Sequence, residues 1–414
     1  MTAMSDLSPM QKRASALLHR LRHADRMPLF LCISAVIFYA FFCLYLGLDP
    51  TGRSGYCTYT LQAMAWRSGQ ISLGRDYTWL ELAVYQGDWY VSFPPVPSIP
   101  LFFLTFLYGS ETPDHLLVKL YVLAGCLGLY SLLRRCQYGR IAAACFSLMC
   151  SFASCMLSLT TDGAVWYQAQ TLAFCLTVLS LSMMIKKKTT LSLLLYALSV
   201  GCRPFNVLYG PVLLVLYLTD CRNEKANLRK AITKAVPGII LGLFVAAAYA
   251  WYNWTRFGNP FEFGHNYLPE FSWQGGVQFS LSHIPANIKT FILGLPFQIN
   301  NGQLSLNTFG FSFLFASPFF ILLTMHVIHD ILHREVCIPK LILILCMMIH
   351  LLLLLMHRTF GGYQFGARYT CDLLPYAALY PAVSEKKWRF GFPDAVIFIF
   401  SVCFSVYGAA VVLL

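Results

Sequence analysis

The residues with the clearest chemical potential begin in a polar stretch that runs from Asp76 to Pro100. Asp76 and Glu81 stand there among aromatic residues, and the stretch ends in a proline cluster that leads into an apolar segment. A carboxylate beside an apolar surface holds a proton more tightly than one in water, and it can accept a proton from a hydroxyl group. We therefore predict Asp76 and Glu81 as candidate general bases. The alternative, that they only solvate a loop, stays open.

Arginines form the second chemical group. A planar guanidinium matches two phosphate oxygens at once, so arginine is suited to hold a phosphate. Arg256 and Arg368 stand out because both lie among glycine and aromatic residues, where a ligand can approach the backbone closely. The alternative for each is an arginine that reaches from a helix end to the membrane interface.

The composition determines what must position these groups. The chain has 414 residues, of which 57% are hydrophobic and 12% charged, and its mean hydropathy is +0.60. Soluble domains carry about 25% charged residues. Apolar runs long enough to cross a bilayer recur along the chain, which predicts an all-α polytopic membrane protein. The 15 cysteines show no paired spacing and predict no disulfide framework.

The hydropathy pattern predicts a bundle of about 11 transmembrane helices. Their approximate ranges are 28–48, 115–133, 141–159, 165–185, 189–202, 205–219, 235–254, 309–328, 341–356, 369–383 and 394–413. Most of the 30 Lys and Arg residues then fall on one side, as the positive-inside rule requires. The net charge of +12 therefore indicates membrane topology and no nucleic acid partner. We predict a multi-pass protein of the bacterial cytoplasmic membrane with a cytoplasmic N-terminus.

This layout divides the chain into a basic N-terminal segment, 1–27, and one transmembrane domain, 28–414. Three polar loops lie on the outer side, at 49–114, 255–308 and 357–368. The first loop is far longer than a turn needs. Within it, 56–69 has the spacing of an amphipathic helix, and 94–108 is apolar but too short and too rich in proline to span a bilayer.

Several classes of site find no support. The chain contains no phosphate-binding glycine-rich loop followed by Lys, no dinucleotide fingerprint, no HExxH and no GxSxG, so ATP use, dinucleotide use and hydrolase chemistry are not indicated. His326, His329 and His333 are interpreted as interfacial histidines and not as a metal site. No metal site or cofactor is predicted firmly, although Asp76, Glu81 and His265 have the chemistry to bind a divalent metal.

Three segments resemble the C-type glycosyltransferase superfamily, which includes protein O-mannosyltransferases and the aminoarabinose transferase of lipid A. In the first segment, the residues at the places of the superfamily's outer-loop motif are Glu81, Gly87, Trp89, Tyr90, Pro94 and Pro95. The segments YNWTRFGNPFEFG, around Arg256, and FGGYQFGARYTCDLLP, around Arg368, are similar to later segments of the group. The resemblance implies a C-type bundle whose long first outer loop carries amphipathic or interfacial helices.

The resemblance also implies a reaction. A sugar would pass from a polyprenyl-phosphate donor to a cell-envelope glycan, lipid or protein on the outer face, by direct displacement with inversion. Asp76 or Glu81 would act as the base. The residues predicted to bind substrate or lipid phosphate are Arg53, Arg256, Arg358, Arg368, Tyr90, Trp89, His265 and Tyr369. Two alternatives remain: a transporter or lipid-linked sugar flippase, and a structural or scramblase-like membrane subunit.

Overall fold

The computed structural model describes residues 25–269, 277–300, 302–384 and 386–413. Most of the predicted N-terminal segment, and part of the second outer loop, lie outside these ranges. The helices up to the middle of the chain are α1 Met27–Leu46, α2 Thr58–Arg67, α3 Ser98–Tyr108, α4 Asp114–Arg135, α5 Arg140–Met149, α6 Val165–Ile185 and α7 Thr189–Val200. Those that follow are α8 Tyr209–Asn223, α9 Leu228–Phe257, α10 Ile284–Phe291, α11 Phe313–Ala316, α12 Phe319–Leu332, α13 Ile338–Leu355, α14 Leu374–Ala382 and α15 Phe392–Leu413.

The chain is an all-α polytopic membrane protein. Seven of its described helices are long and apolar enough to cross a membrane: α1, α4, α6, α9, α13, α15, and α8 together with the 3-10 turn before it, Pro204–Asn223. Four further apolar helices, α3, α5, α7 and α12, have 10 to 17 residues. The short α3 agrees with the prediction that 94–108 does not form a full span.

Three predicted spans differ from the structure. The helix expected at 309–328 is divided at Ser317 and Pro318 into α11 and α12. The helix expected at 141–159 ends at Met149, and turns and a short 3-10 helix, Ser158–Thr160, follow it. The hydroxyl groups of Ser151, Ser154 and Ser158 donate to nearby backbone carbonyls here, which competes with regular helix formation. The helix expected at 369–383 is split into a 3-10 helix, Arg368–Leu373, and α14.

Ion pairs at the helix ends define one face of the bundle, which we call the basic face. Asp25 pairs with Arg134 and Arg140, which brings the start of α1 to the end of α4 and the start of α5. Asp330 near the end of α12 pairs with Lys340 near the start of α13 at 2.7 Å. Helices that begin on this face end on the opposite one, which we call the pocket face.

The first outer loop lies on the pocket face and contains α2, α3 and a hairpin. Strands β1 Leu82–Tyr85 and β2 Asp88–Val91 pair antiparallel, and a two-residue turn at Gln86 and Gly87 connects them. Both turn residues have positive φ, as such hairpin turns require. A second hairpin, β3 Phe297–Asn300 with β4 Gln303–Leu306, lies in the second outer loop. Hydropathy alone predicted neither hairpin.

Candidate functional site

A cavity of about 300 Å³ opens on the pocket face. It lies where the start of α6, the break between α7 and α8, the end of α13 and the polar loops meet. The lining residues are Phe93, Pro94, Trp166, Ala169, Cys202, Arg203, Pro204, Phe205, Phe263, His265, Gln278, Phe279, Leu354, His357 and Tyr369. Apolar and aromatic walls with a few convergent polar groups are typical of small-molecule sites.

Arg203 lies on the cavity wall and is paired. Its Nε lies 2.9 Å from Oδ2 of Asp372, and a terminal guanidinium nitrogen lies 2.8 Å from the same oxygen. Its guanidinium carbon also lies 4.9 Å from the centre of the Tyr369 ring. Burial acts to lower the pKa of Arg203, but the charge of Asp372 outweighs it and the pKa is raised. The arginine therefore stays charged, and a buried carboxylate neutralises it.

His265 is held in one tautomer. Its Nδ1 lies 2.8 Å from the carbonyl oxygen of Ser92, which can only accept, so Nδ1 carries the proton and Nε2 is free to accept. Burial lowers the pKa of His265. The preceding Gly264 has a φ of +98°, and a Cβ there would lie 2.8 Å from the Phe257 ring. Glycine thus lets the chain turn closely enough to bring the imidazole into the cavity.

His357 is a cavity residue that the sequence analysis did not select. Its Nε2 lies 3.3 Å from the side-chain amide nitrogen of Gln278, and its ring packs edge-on against Phe279 and Tyr369. Burial lowers its pKa to about 3, so the imidazole is neutral at pH 7. The one signal in the sequence was its position directly after the apolar run of α13.

Trp166 connects two predicted site residues. Its indole nitrogen donates to Oε2 of Glu81 at 3.0 Å, and the guanidinium carbon of Arg368 lies 5.6 Å from the centre of its ring. The structure therefore places a predicted base and a predicted phosphate ligand on the same indole at the cavity wall. The Glu81 side chain is exposed at this position and is not itself a lining residue.

Arg368 is a buried cation, with 7% of its surface exposed. Its guanidinium carbon lies between 5.4 and 5.6 Å from the ring centres of Trp166, Tyr167 and Tyr369. Its Nε has no hydrogen-bond partner, and no carboxylate of the described residues lies within 4.0 Å of it. Gly361 adjoins this nitrogen, since a Cβ at that residue would lie 3.1 Å from it. Aromatic rings stabilise the charge, and hydrogen-bonding capacity remains for an anion.

The other predicted arginines have different surroundings. Arg256 is buried and donates to the Val91 carbonyl at 2.6 Å and to Asn253 at 2.8 Å, so it fastens β2 to the end of α9. Arg53 pairs with Glu111 at 2.7 Å. The backbone N–H of Arg358 donates to the Gln278 carbonyl at 2.9 Å, beside the cavity.

The remaining predicted residues also differ in whether they line the cavity. Tyr369 lines the cavity, whereas Asp76 is exposed in the first outer loop. The ring of Tyr90 packs on the ring of Phe257, with 5.4 Å between the ring centres. The carbonyl of Trp89 accepts a hydrogen bond from the Leu73 N–H at 2.8 Å. Both therefore support the hairpin and do not line the cavity.

A second polar cluster on the pocket face was missed from the sequence. Nε2 of His115 lies 3.4 Å from Oδ1 of Asp162, and Nδ1 of His115 lies 3.0 Å from the Asp49 carbonyl oxygen. The carboxylate of Asp114 accepts from the Ser54 N–H at 2.8 Å, and its other oxygen is buried without a partner. Burial raises the pKa of Asp162, but the hydrogen bonds from His115 and Ser54 lower it more. The ligand atoms of this cluster do not lie close enough together to form a preformed metal set.

The ligand atoms of Asp76, Glu81 and His265 do not converge within 4.8 Å of one another, so these residues form no preformed metal set. Within the described part of the chain, one group of three meets that spacing: His329, Asp330 and Glu335 on the basic face. Lys340 and Lys386 already pair with its two carboxylates.

Comparison with known proteins gives a likeness of fold. The crystal structure of the apo form of the Archaeoglobus fulgidus oligosaccharyltransferase is similar to this chain, with a TM-score of 0.50 and 11% sequence identity. The likeness covers 92% of this chain and 55% of that one, so the chain spans about half the length of the protein it matches. No protein-family model and no curated protein sequence matches the chain. At this identity the likeness is one of fold alone.

Proposed function

We propose that the chain is a membrane glycosyltransferase that moves a sugar from a polyprenyl-phosphate-linked donor to a cell-envelope acceptor. The acceptor class is a glycan, a lipid or a protein. The basic face lies in the cytoplasm and the cavity opens on the outer side of a bacterial cytoplasmic membrane. The matched protein is an oligosaccharyltransferase by name, which agrees with this proposal at the level of fold.

The observation that carries the proposal is the state of Arg368. A buried cation without a carboxylate is costly, so one that persists beside a cavity at the membrane surface is suited to bind an anionic ligand. The leaving group of the proposed reaction is a lipid phosphate, and a guanidinium matches its oxygens. A lipid-linked donor also accounts for a site at the edge of the bilayer.

The reaction is a single displacement. The oxygen of an acceptor hydroxyl bonds to the anomeric carbon as the bond from that carbon to the phosphate oxygen breaks, and the configuration inverts. Glu81 takes the hydroxyl proton, and the lipid phosphate leaves as an anion that Arg368 stabilises. Trp166 holds the Glu81 carboxylate at the cavity wall by its 3.0 Å hydrogen bond.

A transfer assay tests this proposal. The purified chain in proteoliposomes receives a radiolabelled polyprenyl-phosphate hexose and an envelope lipid fraction, and labelled product is separated from donor. We expect transfer by the native chain and its loss in Glu81→Gln, with the thermal unfolding temperature unchanged. Asp76→Asn is the matched carboxylate control, because both side chains are exposed but only Glu81 accepts a hydrogen bond from the lining residue Trp166. Full transfer by Glu81→Gln would refute the assignment of the base.

One observation favours the alternative of a transporter. His350 lies well inside α13, is fully buried, and neither ring nitrogen has a partner. Polar groups at membrane depth are typical of transport pathways. Uptake of a lipid-linked or free sugar into proteoliposomes without any covalent product would support transport, and loss of that uptake in His350→Leu would locate the pathway.

A further inference from the structure

The polar lining of the cavity is electrically balanced, although the chain as a whole is strongly basic. Arg203 is the one charged side chain in the described lining, and Asp372 pairs with it. The other polar side chains there include His265, His357 and Gln278, two imidazoles and an amide. The cavity therefore presents hydrogen-bonding groups without a net charge.

The two imidazoles are fixed as neutral groups by their surroundings. Nδ1 of His265 donates to the Ser92 carbonyl, which leaves Nε2 as an acceptor. Nδ1 of His357 accepts from the Thr359 N–H, so its one proton lies on Nε2, beside the side-chain amide of Gln278. Nε2 of His265 can only accept, so it is matched to a hydroxyl group of a ligand and cannot donate to a phosphate oxygen.

The walls fit a ring with apolar faces. Phe93, Trp166, Phe205, Phe279 and Tyr369 supply aromatic surface around the polar groups. The volume of about 300 Å³ lies at the lower end of ligand cavities, which run from about 300 to 1,000 Å³. A cavity of this size favours one sugar ring over an oligosaccharide.

The cation suited to bind an anionic group, Arg368, lies outside the cavity lining. Arg368 is absent from the lining but contacts Trp166 and Tyr369, which are part of it. The group that suits an anion thus borders the cavity at Trp166 and Tyr369, and those that suit hydroxyls line it.

We infer that the cavity binds a single, uncharged, hydroxyl-bearing sugar ring, with Nε2 of His265 accepting a hydrogen bond from one of its hydroxyl groups. This inference rests on the proposed function and deepens it, because it excludes uronic acids and cationic amino sugars as the transferred group. A charged substituent would have to leave water for a lining that offers no unpaired opposite charge.

Ligand binding without turnover tests the inference. Saturation-transfer difference NMR is recorded on the full chain in lipid nanodiscs with the methyl glycosides of glucose, mannose and galactose. Each is compared with the uronic acid and the 2-amino sugar of the same configuration. We expect at least one neutral glycoside to bind and its two charged counterparts to bind more weakly. Binding of a charged counterpart as strong as that of the neutral one, or no binding by any neutral glycoside, would overturn the inference.

A variant pair assigns the contact to His265. His265→Ala should weaken binding of the neutral glycoside about tenfold, the upper value for one hydrogen bond. His333→Ala is the control, because His333 is exposed near the basic face. Unchanged binding of the glycoside in His265→Ala would show that His265 does not contact it.

The two hypotheses fail separately. If neutral glycosides bind but no lipid-linked sugar is transferred, the glycosyltransferase proposal is wrong and the cavity remains a sugar site. If transfer occurs with a charged sugar as donor, the transferase stands and the neutral specificity is wrong.

Discussion

The basic face and the pocket face differ in how completely their charged groups are paired. On the basic face, buried and half-buried carboxylates have cationic partners: Asp330 pairs with Lys340, and Asp220 pairs with Lys187 and Lys234. On the pocket face, Arg368 has no carboxylate within reach among the described residues, and one oxygen of Asp114 is buried without a partner. Paired charges complete their interactions within the protein, whereas unpaired ones retain capacity for a ligand. The contrast indicates that charges on the basic face stabilise the fold, whereas Arg368 on the pocket face can still bind a ligand.

The largest effect is expected from breaking a pair on the basic face. Asp330 and Lys340 are both nearly fully buried, and Tyr380 also donates to Asp330. Asp330→Ala leaves Lys340 charged and unpaired, which should cost about 3–5 kcal/mol of stability. Chemical denaturation in detergent micelles measures the loss. The double variant Asp330→Ala, Lys340→Met should recover most of it, and the protein that stays folded should transfer sugar at the native rate.

Removal of the unpaired charge on the pocket face should act on activity instead. Arg368→Gln takes away the cation proposed to stabilise the departing phosphate. One such electrostatic contact is worth about 100- to 1,000-fold in rate. The unfolding temperature should not fall, because the variant relieves a buried charge. Arg53→Gln is the control, since Arg53 is exposed and paired with Glu111. Equal transfer rates in the two variants would contradict the comparison of the faces.

The half-buried, neutral imidazole of His357 predicts that acid destabilises the pocket face. The pKa of His357 is about 3 in the folded chain against 6.5 for the free side chain, so the unfolded chain binds more protons at intermediate pH. Its contribution to stability is complete above pH 6.5 and declines as the pH falls toward 3. By pH 5 the loss should approach about 2 kcal/mol, at 1.36 kcal/mol for each unit. Unfolding midpoints at pH 7 and pH 5 should differ less in His357→Gln than in the native chain.

Hydropathy and charge predicted the membrane class, the positions of the long helices and that α3 is too short for a full span. They failed where side chains compete with the backbone, as Ser151 and Ser154 do after α5. Hydropathy measures the preference of a segment for lipid and carries no information about such local hydrogen bonds.

The candidate site residues could be predicted one by one, but not their arrangement. Glu81, His265, Arg368 and Tyr369 were selected by residue type, but their meeting around Trp166 and the cavity depends on tertiary contacts. Asp49, His115 and Asp162 come from three separate stretches of the chain, and each alone resembles an ordinary turn or helix-end residue. A single sequence offered no signal that would join them.

A smaller effect on transfer is expected from a change in Trp166, which contacts both Glu81 and Arg368. Trp166→Phe keeps an aromatic ring for Arg368 but removes the N–H that holds Glu81. Because the Glu81 side chain is exposed, water replaces part of this hydrogen bond, and transfer should fall only about three- to tenfold. Initial rates at saturating donor measure the change. A loss as large as that of Glu81→Gln would mean that the indole itself contacts the substrate.

The smallest effect is expected from an exposed pair on the basic face. Lys386 pairs with Glu335, but 80% of the lysine side chain is exposed to solvent. Solvent screens such a pair and the long side chain pays entropy to form it, so Lys386→Ala should change neither the unfolding temperature nor the transfer rate measurably. Together with Asp330→Ala, this variant separates burial from charge pairing, because both remove a paired charge from the same face. If Lys386→Ala destabilised the chain as much as Asp330→Ala does, charge pairing alone would account for the stability of the basic face. Burial would then not be the property that makes a paired charge matter, and the contrast with the buried, unpaired Arg368 would lose its basis.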